Sequence, residues 1–453
     1  MLSQDTLTRA EARVPRYTSY PTAPHFAKSV GPAQVAEWYR AIPECDPVSV
    51  YIHVPFCTKL CWYCGCNTSI ASKYQPVHHY LETLVRELHH ARELLGRRAP
   101  VSHLHFGGGT PNALSAADFA RLGDILHALF EIEPLTSFDI ELDPRTLDAK
   151  MAWTLAGAGV TRVNLGIQDF DPNVQAAINR VQTFADVRAR LDELRVAGIS
   201  NFGVDLLYGL PRQDEATIAA TVDSVADLGA SRVALFGYAH VPWMKPHQKL
   251  LEPHGLPGPE ARMKLMQRAH ARLAARGYVR VGIDHFAKPE DELAVALREG
   301  RLQRNFQGYT TDAARTLLGF GPSAISAFRQ GYAQNHTRLD EWRAAVEGNA
   351  LPVARGRALA PDDRLRRSII ERLMCEMKAD VGSIAAEQGL PGSIEKHFAG
   401  EFARIDRFAA EGLCTREGTC VTIPPAATSF ARIVASAFDA YLDGGEAKHS
   451  VAV

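Results

Sequence analysis

One device recurs through the middle of this chain: a helical stretch ends, a glycine follows, and a strand rich in β-branched residues begins. Leu155-Ala156-Gly157-Ala158-Gly159 leads into Val160-Thr161-Arg162-Val163-Asn164-Leu165. Arg195-Val196-Ala197-Gly198 leads to Phe202-Gly203-Val204-Asp205-Leu206-Leu207. Ala226-Asp227-Leu228-Gly229 leads to Arg232-Val233-Ala234-Leu235-Phe236, and Ala274-Ala275-Arg276-Gly277 to Tyr278-Val279-Arg280-Val281. Glycine is the usual left-handed residue that closes a helix. Strands alternating with helices imply a parallel sheet.

The preceding segment continues the pattern. Residues 48–54 read as the first strand, 102–106 as the second and 137–142 as the third. A helix is expected over 80–95, with Leu81, Leu84, Val85, Leu88, Ala91 and Leu95 at helical spacing. The next helix opens on Ser115-Ala116-Ala117-Asp118, a capping-box pattern, and carries Leu122, Ile125, Leu126 and Leu129. Six βα units thus span 48–240, with mixed structure to about 345, and a full or partial barrel closes them.

Polar residues collect at one end of these strands. After the first comes a cysteine loop, after the second Gly107-Gly108-Gly109-Thr110-Pro111, and near the end of the third Glu141 and Asp143-Pro144. Gln168-Asp169 follow the fourth, Asp205 precedes Tyr208-Gly209-Leu210-Pro211 in the fifth unit, and Tyr238-Ala239-His240 follow the sixth. In barrels the carboxyl ends of the strands carry the active site.

The cysteine loop is Pro55-Phe56-Cys57-Thr58-Lys59-Leu60-Cys61-Trp62-Tyr63-Cys64-Gly65-Cys66, while Cys45, Cys375, Cys414 and Cys420 are scattered. A structural zinc site would need a second ligand pair at a distance, and none is evident. Three thiolates in one loop suit a [4Fe–4S] cluster in which one iron keeps no protein ligand and can bind a substrate or cofactor. The start of the chain has no apolar signal-peptide core and no stretch reaches the ~20 apolar residues of a membrane span, so a cytoplasmic protein is expected. There a tight cysteine group binds metal or is redox-active rather than forming disulfides. A net charge of −1 gives no global field pointing to nucleic acid or an anionic membrane.

Each of these residues also has a bland reading. Glu141 and Asp205 sit among apolar strand residues, where an ion pair is the usual partner, although a cationic or hydroxyl-bearing cofactor serves equally well. Gln168 would tie down a loop, Arg180 would be a solvated helix residue, and Tyr51 would pack its ring in the core. His53, His103 and His105 read as core histidines, whereas His240 and His285, at strand ends, are candidates for substrate contact.

Three regions are expected. Residues 1–45 form an irregular arm that wraps the surface or lids the barrel mouth, 46–345 the barrel with its extension, and 346–453 a mostly helical C-terminal domain. Residues 349–356 read as the connector. Leu365, Ile369, Ile370 and Leu373 share a helical stripe within 361–445, and 413–423 reads as a hairpin turning at Glu417-Gly418.

C-x3-C-x2-C with Tyr63 before its last cysteine resembles the radical S-adenosylmethionine (SAM) superfamily. Further runs resemble, within it, the oxygen-independent coproporphyrinogen III oxidase (dehydrogenase) family. They are Arg16-Tyr17-Thr18-Ser19-Tyr20-Pro21-Thr22, the Cys64-Gly65-Cys66 ending, Gly107–Pro111, Gly166-Ile167-Gln168-Asp169-Phe170, Asp205–Pro211, Asp284-His285-Phe286-Ala287, Arg304-Asn305-Phe306-Gln307-Gly308-Tyr309-Thr310-Thr311, and Gly319-Phe320-Gly321-Pro322-Ser323-Ala324-Ile325-Ser326. One position departs: Gly237 stands where asparagine is expected.

The resemblance implies an α/β fold, a partial (β/α)6 TIM-like barrel of the radical SAM type with a helical C-terminal domain. Cys57, Cys61 and Cys64 would bind three irons of one [4Fe–4S] cluster, and the first of two SAM molecules would chelate the fourth. Tyr51, Gly108, Glu141 and Ile325 would contact one SAM; Tyr63, Gly109, Thr110, Gln168, Arg180, Asp205 and Ala239 would line the neighbouring pocket; Phe306, Gln307 and Ile325 would lie near the second SAM. Cys66 matches an essential cysteine that is not a ligand. The implied reaction starts with an electron entering the cluster and ends with two propionates of coproporphyrinogen III, on rings A and B, losing CO2 to become vinyl groups. A 5′-deoxyadenosyl radical would take hydrogen from the propionate β-carbon. Arg16 and Arg304 are candidates for pairing with the propionates. The resemblance further implies a flavodoxin- or ferredoxin-like electron donor and a monomer. Rival readings are a haem-degrading or methylating radical SAM relative and a non-catalytic haem chaperone; the Arg16–Thr22 run and the Cys64-Gly65-Cys66 ending favour the oxidase over the chaperone.

Overall fold

In the computed structural model, which describes residues 11–390 and 393–442, twelve strands form one sheet. They are β1 (Val48–Val54), β2 (Val101–Gly108), β3 (Ser137–Leu142), β4 (Arg162–Gln168), β5 (Phe202–Tyr208), β6 (Arg232–Gly237), β7 (Val279–Val281), β8 (His285–Ala287), β9 (Thr316–Phe320), β10 (Ile325–Ala327), β11 (Gly331–Asn335) and β12 (Val353–Ala358). Their order is β12-β11-β10-β9-β1-β2-β3-β4-β5-β6-β8-β7. The six expected strands β1 to β6 pair with one another in parallel, in chain order, and β9 adds a seventh parallel strand beside β1. The two ends of the sheet do not pair with each other, so the barrel is partial.

Helices α1 (Pro32–Arg40), α2 (Gln75–Leu95), α3 (Ala116–Leu129), α4 (Ala149–Gly157), α5 (Phe184–Val196), α6 (Glu215–Asp227) and α7 (Pro259–Ala275) precede or connect these strands. Gly96, at φ 69°, closes α2 as a left-handed cap. Each parallel strand has two unlike faces. Val48, Val50, Ile52 and Val54 of β1, Phe138, Ile140 and Leu142 of β3, and Val163, Leu165 and Ile167 of β4 join the main apolar core. The alternate residues Ser49, Asp139, Glu141, Arg162, Asn164 and Asp205 line polar cavities instead. At the amino ends of β1 and β2, Asp312 accepts hydrogen bonds from Ser49 and Ser102 and ties the loop before β9 to the sheet.

Several expectations are corrected. Residues 353–356 of the expected connector belong to the edge strand β12, antiparallel to β11, because their backbone groups find partners there. The strand after Gly277 is not another parallel unit. A turn at Gly282 (φ 61°) reverses the chain, β8 runs antiparallel to β6, and β7 follows at the edge. The arm is not wholly irregular, since α1 is a nine-residue helix that buries Val35, Trp38 and Tyr39. The capping pattern at Ser115 is half formed: Ser115 accepts the Asp118 N–H at 3.2 Å, while the Asp118 carboxylate turns to Tyr74 and His78. In the C-terminal region Leu365, Ile369, Ile370 and Leu373 lie buried on one helix (Pro361–Glu376). Strands Thr415–Glu417 and Cys420–Thr422 form the expected hairpin. Residues 1–10 and 443–453, including the end of the expected helical stretch, lie outside the described residues. Among the described residues no helix is long and apolar enough to cross a membrane.

Glu87 of α2 staples the open side of the barrel. Its carboxylate accepts hydrogen bonds from Gly321 N–H (2.9 Å), Asn335 Nδ2 (2.7 Å) and Trp342 Nε1 (3.0 Å). Glu87→Ala leaves three buried donors unpaired and should cost about 2–4 kcal/mol in urea unfolding of the metal-free protein. Burial pushes the Glu87 carboxyl up from 4.5 to about 7, against the pull of its three donors. The folded chain therefore holds this proton where the unfolded chain has lost it, and this group's contribution to stability falls as pH rises through that window. Glu87→Gln should flatten that part of the pH profile.

Candidate active site

The carboxyl ends of β1 to β5 surround a cavity of about 720 Å³, counting its open mouth. Cys57, Cys61, Cys64, Cys66, Tyr63, Gly108, Gly109, Glu141, Gln168, Arg180 and Asp205 line it together with Asp143, Arg145, Asn164 and Gly166. All four cysteines are free.

Polar hydrogens point at each of the first three sulfurs. The Thr68 hydroxyl lies 3.5 Å from Cys57 Sγ, Arg180 Nη1 and Arg145 Nη2 lie 3.4 and 3.5 Å from Cys61 Sγ, and the Cys66 N–H lies 3.4 Å from Cys64 Sγ. Such donors favour thiolates, the ligating form, and Cys64 is drawn down to about 6, whereas at Cys57 burial outweighs the Thr68 hydrogen bond and pushes the thiol up to about 11. The three sulfurs do not gather within 4.8 Å of one another, a spacing that among the described residues only His103, His105 and Asp139 achieve. A single tetrahedral ion would draw sulfurs to about 4 Å apart, so this donor set fits a polynuclear cluster better than zinc.

Arg180 is no solvated helix residue. It is buried, donates to the Gly166 carbonyl at 2.6 Å, and pairs with Asp143 at 3.3 Å. Asp143 also takes Arg145 at 2.6 Å. Burial pushes the Asp143 carboxyl up, but the hydrogen bonds and charges of Arg145 and Arg180 outweigh it and hold the group below the usual carboxylate range.

Glu141 and Asp205 differ sharply. Burial would raise Glu141, yet the His105 ring at 3.2 Å and the Gly108 N–H at 3.3 Å more than offset it, so Glu141 is an anion. Asp205 is pushed up to about 6, first by burial and also by the nearby Glu141, while Asn164 pulls the other way. One face thus offers a permanent carboxylate and one that protonates near neutrality.

The glycine triplet serves the protein's own packing. A Cβ on Gly109 would lie 2.6 Å from the Phe56 carbonyl oxygen, one on Gly108 (φ 115°) 2.7 Å from the His53 ring, and one on Gly107 2.9 Å from the Glu141 carboxylate. Gln168, also left-handed at φ 70°, follows a register shift between Gly166 and Gln168. That shift turns its side chain into the cavity.

Other expected site residues surround this cavity without lining it. The Tyr51 hydroxyl bonds His53 Nδ1 at 3.0 Å, and Thr110 accepts the Asp143 N–H at 3.1 Å. Phe306 meets Tyr332 edge-on at 5.7 Å in an apolar cluster that includes Ile325. Gln307 lines a cavity between the sheet and the loop before β9, with His103, His105 and Asp139. Ala239 and Arg16 line a further cavity beyond β6, Arg304 donates to the Arg16 carbonyl at 3.2 Å, and His285 pairs with Asp284 at 2.7 Å. His240 lies 2.9 Å from the Tyr238 hydroxyl and 3.2 Å from Glu252. Arg145 and Asn164 were not singled out from the sequence, and His105, read as a core histidine, is instead the partner of Glu141. The signal for His105 and Asn164 was the two-residue alternation that links His105 to His103 and Asn164 to Gly166.

This fold and this cysteine-bearing mouth define a radical SAM protein, and the model of the radical SAM superfamily matches residues 51–225. An oxygen-independent coproporphyrinogen III oxidase of Bradyrhizobium diazoefficiens is 43% identical over 444 residues, covering 98% of each chain. One from Escherichia coli K12 is 38% identical, covering 94% of this chain and 93% of the other. A solved Escherichia coli coproporphyrinogen III oxidase, described as a radical SAM enzyme, superimposes with a TM-score of 0.90 at 36% identity, over 95% of this chain and 100% of that one. The chain belongs to the oxygen-independent coproporphyrinogen III oxidase family. Membership implies a [4Fe–4S] cluster and SAM, which the cysteine donor set fits.

Gly109→Ala should displace the cysteine loop through the Phe56 backbone. Iron bound per chain after anaerobic reconstitution should fall below about half, with a loss of roughly 2 kcal/mol or more in thermal unfolding.

Proposed function

We propose that the chain oxidatively decarboxylates two propionate side chains of coproporphyrinogen III, on rings A and B, to the vinyl groups of protoporphyrinogen IX without oxygen. The observation that carries this reading is the set of three cysteine sulfurs facing a polar cavity at the carboxyl end of the barrel. It stands in a chain about 40% identical, over nearly its whole length, to oxidases of that name. The haem-degrading, methylating and chaperone readings find no such support among these relatives.

Cys57, Cys61 and Cys64 would hold three irons, leaving the fourth to SAM. When bound, cluster and SAM supply one-electron chemistry able to remove hydrogen from an unactivated carbon. The protein's own residues prepare the place for it. Arg145, Arg180, Thr68 and the Cys66 N–H donate toward the three sulfurs. The Glu141 anion, held by His105, suits an ammonium or hydroxyl group, and Asp205, Gln168 and Asn164 offer further polar contacts. Tyr63 and the apolar wall at Leu142 limit water in the cavity. We assign Tyr51, Gly108, Glu141 and Ile325 to one SAM, Tyr63, Gly109, Thr110, Gln168, Arg180, Asp205 and Ala239 to the adjoining pocket, and Phe306, Gln307 and Ile325 to a second SAM. Arg16, Arg304, His240 and His285 are assigned to the substrate, and Cys66 to an essential role other than ligation.

The reading extends to a cytoplasmic monomer reduced by a flavodoxin- or ferredoxin-like donor. Its regions would be an arm (1–45), a barrel with its extension (46–345) and a C-terminal domain (346–453), with β12 reaching back into the sheet.

Reconstituted anaerobically with SAM, a reductant and coproporphyrinogen III, the protein should release two CO2 per protoporphyrinogen IX; haem binding without turnover would support the chaperone reading instead. Cys61→Ser should abolish the cluster's visible absorbance. Cys66→Ser should keep iron and absorbance while losing most activity, and loss of the cluster in that variant would make Cys66 a ligand.

A further inference from the structure

The segments that grip the cysteine loop from outside expose an apolar and basic face. Lys245 Nζ lies 2.7 Å from the Cys66 carbonyl and His247 Nε2 2.8 Å from the Cys64 carbonyl, so the segment after β6 rests against the backbone that carries two of the sulfurs. That segment leaves Trp243, Met244 and Leu250 50%, 66% and 49% exposed. Scattered exposed apolar residues are ordinary, but a tryptophan and a methionine side by side, with a leucine on the same segment, mark an interaction surface. Lys249 of the same segment and Lys59 of the cysteine loop are exposed as well. Arg13 of the arm adds a further cation, its guanidinium 5.9 Å from the Trp243 ring centroid.

Acidic residues are missing from this region. The chain carries 51 acidic residues against 50 lysines and arginines, yet residues 55–81, 172–185 and 238–251, which make and grip the loop, contain none. The carboxylates that flank these stretches are engaged: Glu82 pairs with Arg121, Glu252 with His240, and Asp171 and Asp186 cap helices. Glu141, Asp143 and Asp205 line the cavity that the sulfurs face.

We propose that this outer face, Trp243, Met244 and Leu250 together with Lys59, Lys245 and Lys249, docks a small acidic electron-carrier protein that reduces the cluster.

The proposal rests on the reading of a flavodoxin- or ferredoxin-like donor and deepens it by placing the contact. One electron leaves the reduced carrier and arrives on the cluster, with no bond made or broken and no proton moved. The carrier needs an approach that leaves the cavity to SAM and substrate. The backbone from Tyr63 to Cys66 supplies one, because its carbonyls meet Lys245, His247 and Gln248 while its sulfurs face the cavity. An apolar centre with lysines around it fits the small, short-lived interface of a redox pair, where charge steers the encounter. Lysines are flexible, strongly hydrated point charges, which attract an acidic partner without fixing it in one bidentate pose. The tetrapropionate substrate is anionic too, but its reacting carbon has to meet the cavity rather than the outer side of the loop.

The test uses full-length, anaerobically reconstituted protein with a reduced acidic flavodoxin and, in parallel, a reduced acidic ferredoxin. Two quantities are read: the second-order rate of cluster bleaching by stopped flow, and the Kd of each oxidised carrier by titration calorimetry. Lys249→Glu and Met244→Asp should each lower the rate and raise Kd about tenfold at low salt, and the Lys249→Glu difference should shrink as salt rises. Lys249→Arg should stay near wild type. Iron content and the rate of bleaching by dithionite should hold within twofold, since a small reductant needs no docking. Lys378→Glu, an exposed lysine of the C-terminal region, controls for net charge and should change neither quantity. Carrier rates and Kd within twofold of wild type in both test variants would overturn the surface, as would an equal loss in Lys378→Glu. Weakened coproporphyrin III binding with unchanged carrier kinetics would overturn it in favour of a substrate contact. A wild-type cluster that dithionite reduces and neither carrier does would sink the donor reading and the surface with it. Carrier-driven bleaching without CO2 release would sink only the decarboxylase reading.

Discussion

The two-residue alternation of the parallel strands is the constraint on which the rest of this structure depends. In β3 it sends Phe138, Ile140 and Leu142 into the apolar core and Asp139 and Glu141 into the polar cavities. A slip of one residue in register would exchange these sets and bury the carboxylates in hydrocarbon. The polar face is expensive in its own right, because charges out of water need partners. Those partners come from neighbouring strands or the elements that cap them: His103 stands 3.2 Å from Asp139, His105 3.2 Å from Glu141, Arg180 3.3 Å from Asp143, and Arg232 2.7 Å from Asp291. The group His103, His105 and Asp139 has the spacing of an ion site, yet Arg162 stands 3.8 Å from Asp139 and Arg232 lines the same cavity, so an ion-pair network accounts for it.

The cysteine loop has little regular structure and is held from outside. Lys245 donates to the Cys66 carbonyl at 2.7 Å, His247 to the Cys64 carbonyl at 2.8 Å, and Gln248 to the Tyr63 carbonyl at 2.9 Å. Asn179 donates to the Leu60 carbonyl at 2.8 Å, and Trp62 stacks on His254 at 6.0 Å. Peptide carbonyls are thereby satisfied by the segments after β4 and β6, which leaves the sulfurs to face the cavity. Placement of a site on a loop here depends on a second loop that the barrel topology brings over it.

Much of this was legible in one dimension. The glycines at 159, 198 and 229 announced parallel strands, because glycine closes a helix where the next strand must begin, and β4, β5 and β6 are those strands. The same cue at Gly277 misled, since a helix–glycine–strand sequence does not state which way the strand will pair. The expected connector hid β12 because this strand at the end of the sheet carries a single β-branched residue, Val353. The cysteine spacing, Glu141, Gln168 and Asp205 all stood out as chemistry at strand ends, and the structure brings them to one cavity. Arg180 read as a surface residue because its helical surroundings are unremarkable; only the approach of Asp143 and Cys61 makes it a buried cation.

By itself, the order of residues determined the parallel sheet, the polar face of its strands and a three-cysteine loop at the carboxyl end of the first, since periodicity and spacing are local properties. Tertiary structure decided which charges neutralise one another. Glu141 is an anion because His105 reaches it from the next strand, whereas Asp205 lies in its field and holds its proton up to about pH 6. It also decided that arginines 416 residues apart in the chain, Arg16 and Arg432, line a single cavity. Charges interact through space, and no pattern along the chain records how far apart folding leaves them.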